Sequence, residues 1–239
     1  MGAGDGKAAL RRARAEPSAV VIGVEPAWQQ LVAVAGRARQ RPERGGAPNL
    51  WFVAATAEEP PAALIGVADE IHATMPWGSL LAGLVRPERA TLDGLAALAK
   101  PGAALRVLIA TDAWREPVPN ALRALRRPSP EHAADVLACA YASAGWRITV
   151  ARWLDTAETR AVESSWARRL TRGHAAPAVL RIDATRFRPD PPGGGWRDRL
   201  TDHPRGQPPE CSNSAPNGTD GSSGSSSQCS GSTTRPGLP

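Results

Sequence analysis

Ala19-Val20-Val21-Ile22-Gly23-Val24 is a continuous apolar run that stops at Glu25, and Pro26 opens the next segment. An uninterrupted run of this kind suits a strand buried on both faces, as in a parallel sheet. Residues 26–39 then place Trp28, Leu31, Val32 and Ala35 at helical spacing, with Pro26 suited to a first turn. The strand-then-helix unit recurs along the chain. Leu50-Trp51-Phe52-Val53-Ala54 is a second strand, and residues 68–74 form a weaker third centred on Ile71. Residues 91–99 predict a helix closed by Lys100-Pro101-Gly102, and residues 104–110 a fourth strand. Residues 130–144 read as helix, Gly145 breaks it, and residues 146–153 are a fifth strand. Asp155 opens a helix expected to reach about Arg172, and residues 179–187 are the last strand. Repeated β-then-α units predict an α/β fold with a mostly parallel sheet covered on both faces. The final two strands are expected to close it as an antiparallel hairpin.

Upstream of the opening strand lies Met1-Gly2-Ala3-Gly4-Asp5-Gly6-Lys7. Glycines at alternate positions let backbone approach a nucleotide closely, because no Cβ intervenes. Glu25 lies 19 residues beyond Gly6, where an acid at a strand end can accept bonds from ribose hydroxyls. Ala57-Glu58 comes after the next strand, the place for a contact to the adenine end of the same cofactor. The competing reading of Glu25 is an acid favoured at a helix N-terminus. A glycine turn of this type normally follows a strand, whereas this chain reads as starting inside the turn. A sheet without its first, central strand is therefore expected, from an N-terminal truncation or a start assigned too late.

The chain has 239 residues and a formal charge of +6. Residues 189–239 are rich in Pro, Gly, Ser, Asn and Thr and almost devoid of aliphatic side chains, so a disordered tail is expected after a domain spanning residues 1–188. The tail carries four arginines against five acids, so the positive charge resides in the body. Arg supplies nearly all of it, and its forked guanidinium suits phosphate. A basic body favours a polyanionic partner such as RNA, although a GC-rich genome would also place Arg wherever a cation is tolerated. The cysteines Cys139, Cys211 and Cys229 show no metal-ligand spacing, and no metal is expected. No apolar run is long enough for a membrane span and the N-terminus has no apolar leader, so a cytoplasmic location is expected.

Met75-Pro76-Trp77-Gly78-Ser79-Leu80-Leu81 makes the reading specific. With it come Arg44-Gly45-Gly46-Ala47-Pro48-Asn49-Leu50, Ala55-Thr56-Ala57-Glu58 and Ser164-Ser165-Trp166-Ala167-Arg168-Arg169-Leu170. From Gly2 to about Asp183 the chain resembles the 16S rRNA (adenine(1408)-N(1))-methyltransferases, the kanamycin–apramycin resistance enzymes. The glycine turn is generic; the two tryptophan segments, found in order, are not. The resemblance implies a Rossmann-like class I methyltransferase fold that uses S-adenosylmethionine, acts on 16S rRNA and confers aminoglycoside resistance; a monomer is expected, and the large basic face suggests the assembled small ribosomal subunit over naked RNA. It implies cofactor contacts from Gly2, Gly4, Asp5, Gly6, Glu25, Ala57, Glu58, Thr74 and Ser79. It implies that Trp77 and Trp166 sandwich the target base and that Ser164 lies beside it. Arg37, Arg39, Arg41 and Arg44, with Arg168, Arg169 and Arg172, would dock RNA. Just beyond them His174, Ala175 and Ala176 stand where the family tends to carry further basic residues. The family's cofactor-contacting aspartate precedes Gly2, and Met1 stands next to its place.

The chemistry is consistent with these roles. Methyltransferases acting on exocyclic amines carry a polar residue ahead of the Pro-aromatic pair, to engage the amino group. Met75 occupies that position here, which points to a ring nitrogen as the acceptor. N1 of adenine is neutral at pH 7 and carries an in-plane lone pair, so it needs alignment more than a base. A flipped base stacked between two indoles gains roughly 1–3 kcal/mol per stack. Without the resemblance, Trp166 would read equally well as a core residue, between Val162 and Leu170 at helical spacing. Two further readings share parts of this pattern. One is a methyltransferase of the same fold acting on tRNA guanine or a small molecule, and the other a catalytically silent RNA-binding relative.

Overall fold

The computed structural model describes residues 1–110, 126–162 and 178–187. The expected tail and the second tryptophan segment lie outside the described residues. The described residues all fall in one unit, Met1–Arg199.

The chain begins in the glycine turn and enters helix α1, Lys7–Ala15, which the sequence pattern did not reveal. Strand β1, Val21–Val24, comes next, then a 3-10 turn, Trp28–Leu31, running into α2, Val32–Ala38. The single helix expected over residues 26–39 is thus split, because only Leu31, Val34 and Ala38 turn inward. Strand β2, Leu50–Val53, pairs in parallel with β1. Strand β3, Ala68–Thr74, has the expected bounds, with Ile71 buried at its centre. Helices α3, Gly78–Val85, and α4, Arg89–Leu98, lie after it. Strand β4, Ala99–Ala110, pairs in parallel with β3. Helix α5 is built from Pro130–His132, a π turn over Ala133–Leu137, and Ala138–Ser143. Strand β5, Trp146–Trp153, helix α6, Thr156–Ala161, and strand β6, Val179–Arg186, complete the described elements.

A further expectation is corrected. Lys100-Pro101-Gly102 does not close a helix but lies within β4. The β3–β4 register shifts between Ala68 and Glu70, so a bulge carries these residues, where a proline and a glycine at φ 82° are tolerated. Helix α6 ends at Ala161, with Val162 extended at ψ 110°, and the remainder of the helix expected to about Arg172 lies outside the described residues. Its start is well specified, since Asp155 and Glu158 form a reciprocal capping box.

The strands fall into two sheets, β1-β2 and β3-β4-β6-β5. Among the described residues no strand precedes the glycine turn. Residues 1–3 touch both sheets: the Met1 ammonium donates to the His72 carbonyl of β3 at 2.7 Å, and the Ala3 N–H donates to the Val24 carbonyl of β1 at 3.0 Å. Burial pushes the Met1 amine down to about 6, against the opposing pull of Glu25. Strand β6 runs antiparallel to both neighbours, which makes the β5–β6 hairpin that closes the sheet.

In the four-stranded sheet, Leu105, Val107, Ile109, Leu180 and Ile182 face a core completed by Leu81 and Leu84 of α3, Leu92 and Leu95 of α4, and Leu137 and Tyr141 of α5. Alternation along β4 sends Arg106 the other way, to a polar face where it meets Asp183 at 3.1 Å. Arg12 of α1 reaches this face, bonding Glu70 at 2.8 Å and the His72 ring at 2.6 Å. The β1–β2 pair has its own core, in which Leu10 and Ala13 of α1 and Val34 and Ala38 of α2 pack with Leu50. No described helix is long and apolar enough to cross a membrane.

Candidate active site

Strands β1 and β2 run in parallel and end together, as do β3 and β4, and open α/β sheets place their ligands at such strand ends. The glycine turn meets the end of β1, with Gly2, Gly4 and Gly6 at φ 65°, 56° and 70°. A side chain is disfavoured at each of these backbone angles. Phe52 of β2 wedges the turn from behind: a methyl at Gly6 would sit 2.9 Å from its ring and one at Gly23 2.6 Å. Nothing lies within 4 Å of the Cβ position at Gly4, so the turn presents an open backbone face. That is the cradle a nucleotide-bearing cofactor requires.

Glu25, half-buried just past β1, joins the turn to the strand end. Its Oε2 accepts from the Gly4 N–H at 2.9 Å and its Oε1 from the Ala27 N–H at 3.1 Å. The carboxylate thus anchors the glycine turn and also caps the segment leading into α2, the second of the two roles expected for it. Asp5 accepts from the Lys7 backbone N–H and pairs with its ammonium at 2.8 Å.

The Ala57-Glu58 segment is held by α4. Thr91, fully buried, donates its hydroxyl to Glu58 Oε1 at 2.7 Å. Partial burial disfavours the Glu58 carboxylate, yet the hydroxyls of Thr91 and Thr56 and the backbone at positions 57 and 58 hold its pKa below the usual range. Gly94 lets the α4 backbone lie flush on this segment, because a methyl there would collide with the Ala57 carbonyl. Gly83 of α3 admits Thr91 in the same way. Thr91, Gly94 and Phe52 are supports that sequence reasoning missed; a glycine inside an otherwise helical pattern was the only available signal.

At the end of β3 the chain turns sharply. Met75 has φ 53°, Trp77 is extended at φ −137°, and Gly78 opens α3 at φ 61°. Met75 and Pro76 are buried while the Trp77 side chain stands 41% exposed. The turn thus projects an indole from the strand edge. The Cβ position of Gly2 lies 3.1 Å from the Leu80 side chain, so the glycine turn abuts the segment carrying Trp77 and Ser79. Thr74 is the last residue of β3 and Ser79 lies in the first turn of α3, exposed.

Arg37, Arg39, Arg41 and Arg44 are strung from the end of α2 to the 3-10 turn Pro42–Arg44, where they face solvent. Gly45 at φ 81° ends that turn, and its carbonyl accepts from the Arg14 guanidinium. Ser164, Trp166, Arg168, Arg169 and Arg172 lie outside the described residues. Among the described residues no group of three or more His, Cys, Asp and Glu side chains could hold a metal ion.

The parallel β1–β2 and β3–β4 pairs, the open glycine turn, the acid after β1 and the antiparallel closing hairpin suit the fold of an S-adenosylmethionine-dependent methyltransferase. Residues 1–185 match the family model described as NpmA, 16S rRNA (adenine(1408)-N(1))-methyltransferase. The chain belongs to that family. It is 41% identical over 170 residues to the 16S rRNA (adenine(1408)-N(1))-methyltransferase of Streptoalloteichus hindustanus, covering 71% of this chain and 78% of that one. It is similar to the crystal structure of the enzyme of that name from Catenulisporales acidiphilia, at 44% identity and a TM-score of 0.72, over 79% of this chain and 86% of the other. A tryptophan-to-alanine variant of the latter has been solved with cosubstrate S-adenosylmethionine, at 43% identity and a TM-score of 0.74, over 80% of this chain and 85% of the other. KamB, another 16S rRNA methyltransferase, matches at 37% identity with a TM-score of 0.72, over 79% of this chain and 86% of the other.

Proposed function

We propose that the protein methylates N1 of adenine 1408 in the decoding site of 16S rRNA, within the assembled small ribosomal subunit, and so confers aminoglycoside resistance. The observation that carries this reading is the turn at the end of β3, which buries Met75 and Pro76 and leaves the Trp77 indole exposed beside the glycine turn. S-adenosylmethionine supplies an electrophilic methyl group when bound. The chain's own residues do the placing. Gly2, Gly4, Asp5 and Gly6 offer backbone and carboxylate to the cofactor, Glu25 faces its ribose, and Ala57 and Glu58 receive the adenine end. Thr74 and Ser79 flank the reacting edge. Trp77 and Trp166 stack the flipped base, Ser164 lies beside it, and no side chain has to remove a proton before the ring nitrogen attacks.

The buried, apolar Met75 supports a ring-nitrogen acceptor, since its thioether donates nothing and accepts only weakly from an exocyclic amine. The solvent-facing arginines Arg37, Arg39, Arg41 and Arg44 suit phosphate contacts, to which Arg168, Arg169 and Arg172 add. The protein acts as a cytoplasmic monomer and needs no metal.

Incubation of purified small subunits with the protein and S-adenosylmethionine, followed by primer extension, tests the assignment. A new stop at the decoding-site adenine is expected; methyl incorporation elsewhere, or none, would overturn it. The Glu58 support has its own test. Thr91→Val removes the hydroxyl with little change in side-chain volume, and cofactor affinity by calorimetry is expected to weaken about three- to tenfold, the scale of one hydrogen bond. Stability should fall by about 1–2 kcal/mol at most, and an unchanged affinity would show that the Thr91 bond to Glu58 does not support cofactor binding.

A further inference from the structure

The segment from α2 to β2 folds back on itself at two glycines. The Gly45 backbone is left-handed, and its carbonyl accepts from the guanidinium of Arg14, in the last turn of α1. Gly46 lies flush against the preceding chain, because a methyl there would collide with the Gln40 carbonyl. Its N–H donates to the Arg41 carbonyl at 3.0 Å, and the Ala47 N–H to the Ala38 carbonyl at 2.9 Å. Asn49 completes the brace: its side-chain amide reaches the carbonyls of Ala13, Glu16 and Ala19 at 2.9, 3.0 and 2.8 Å. The end of α1 and the arginine-bearing segment are therefore held together as one unit.

Two cations meet on this unit. From the place a Cβ would take on Gly45, the nearest nitrogen of Arg14 is 2.8 Å away and that of Arg37 3.7 Å. The two guanidinium groups thus flank the small space that glycine leaves open. Both residues are exposed, and no ion pair among the described residues engages either of them. Glu16, two positions beyond Arg14, pairs with Arg12 at 3.4 Å instead. Two like charges held this close repel, and an anion between them relieves the repulsion. A phosphate suits the space, since its oxygens accept from guanidinium N–H groups at about 2.7–2.9 Å and each fork offers more than one donor.

We propose that Arg14 and Arg37 share one backbone phosphate of the RNA substrate, with Gly45 leaving the room for it. The proposal rests on the rRNA reading above. It carries the docking surface from the α2–β2 segment onto α1, where no motif in the sequence points to RNA. A contact of this kind fixes where the enzyme sits on the RNA without reading its sequence. The last turn of α1 also suits a cation because of the helix dipole, but that role needs charge alone, whereas the phosphate uses the fork.

Binding of the full chain to purified small ribosomal subunits, followed as potassium chloride rises from about 50 to 200 mM, tests the clamp. Arg14→Gln and Arg37→Gln are each expected to weaken binding about tenfold at low salt, the scale of one charged hydrogen bond. Joined in one chain, the two changes should cost little more than either alone, because they remove the same phosphate. The slope of log affinity against log salt should fall by about one unit in the double variant. Losses that multiply, with the slope falling by about two, would mean two separate phosphates and overturn the shared clamp.

Two further readouts separate a phosphate contact from a bracing role. Arg14→Lys keeps the charge and a donor for the Gly45 carbonyl but loses the fork, so its salt slope should match the parent's while affinity falls about threefold. Hydrogen exchange over residues 40–47 should stay within about twofold of the parent in Arg14→Gln, since the Gly46 and Ala47 bonds remain. Exchange that quickens along with the loss of affinity, both restored by Arg14→Lys, would make Arg14 a strut and overturn the phosphate contact. In methylation assays the loss should appear in the KM for subunits rather than in kcat. A parent chain that binds no subunits would overturn the rRNA reading and the clamp together; one that binds, with Arg14→Gln unaltered, would overturn the clamp alone.

Discussion

Trp77→Ala is expected to reduce methylation of the decoding-site adenine about a thousandfold while cofactor affinity stays within about twofold of the parent. Two effects combine. Loss of one stacking partner removes roughly 1–3 kcal/mol from the hold on the flipped base. A base stacked on one side only also tilts away from the line of attack, and misalignment of about 1 Å costs on the order of a hundredfold. The indole is 41% exposed, so its removal opens no cavity, and the fold should persist with a melting temperature within a few degrees. Single-turnover methylation and calorimetry on the same preparation are the measurements. A variant that loses cofactor binding or several kcal/mol of stability would place Trp77 in the core. Trp77→Phe should recover much of the rate, because a smaller aromatic face still stacks.

The largest effect on stability is expected at Trp146. This side chain is fully buried at the start of β5, and its indole N–H donates to the Leu92 carbonyl of α4 at 3.3 Å. Trp146→Ala would leave a large cavity between the closing hairpin and α4, costing about 3–5 kcal/mol. Domains of this size are stable by about 5–15 kcal/mol, so the loss is a substantial fraction of the whole. The melting temperature is expected to fall by roughly 10 °C or more. Trp146→Phe keeps most of the buried area but leaves the Leu92 carbonyl without that partner, and a loss of about 1–2 kcal/mol should follow. Denaturant melts give both numbers. A shift below about 1 kcal/mol in Trp146→Ala would mean that α4 and the hairpin collapse together to refill the space.

The contrast between these two tryptophans shows what could be read from residues alone. Trp77 follows a strand and precedes Gly-Ser, a context that points to the sheet edge, where it is found. Trp146 opens a strand after a glycine break, and the bounds of β5 are equally legible. The strands are readable because apolar runs with period 2 or with none have few competing explanations. Helix α1 is not, since Lys7–Ala15 is rich in Ala and Arg and buries only Leu10 and Ala13. Helix α3 hides for the opposite reason: Gly78–Val85 is apolar almost throughout and carries no readable stripe. The Lys100-Pro101-Gly102 bulge mimics a helix end because the same residue types serve both purposes.

The site divides along a similar line. Glycines and acids near strand ends announce themselves by type and spacing. Their supports do not, because a contact such as Gly94 on the Ala57 carbonyl joins α4 to the loop after β2 through an atom that glycine lacks. The Glu58–Thr91 bond spans 33 positions, and nothing local in either segment points to the other. The left-handed Met75 is unreadable for a related reason: Met is not a residue that advertises such a backbone, and only the packed cluster of chain exits around it accounts for the conformation.

The solvent-facing string Arg37, Arg39, Arg41 and Arg44 carries a consequence of a different kind. Each guanidinium that meets a phosphate displaces condensed counterions, so capture of a ribosomal subunit should weaken steeply as monovalent salt rises. Stacking by the indole is far less sensitive to salt. Raising potassium chloride from about 50 to 200 mM should therefore lower kcat/KM by an order of magnitude or more while kcat hardly changes. Replacing two of the four arginines by glutamine should flatten that dependence, and an unaltered salt slope would remove this segment from the docking surface. The cell's ionic composition would then set how quickly the enzyme finds its target, and the aromatic edge how fast it acts once there.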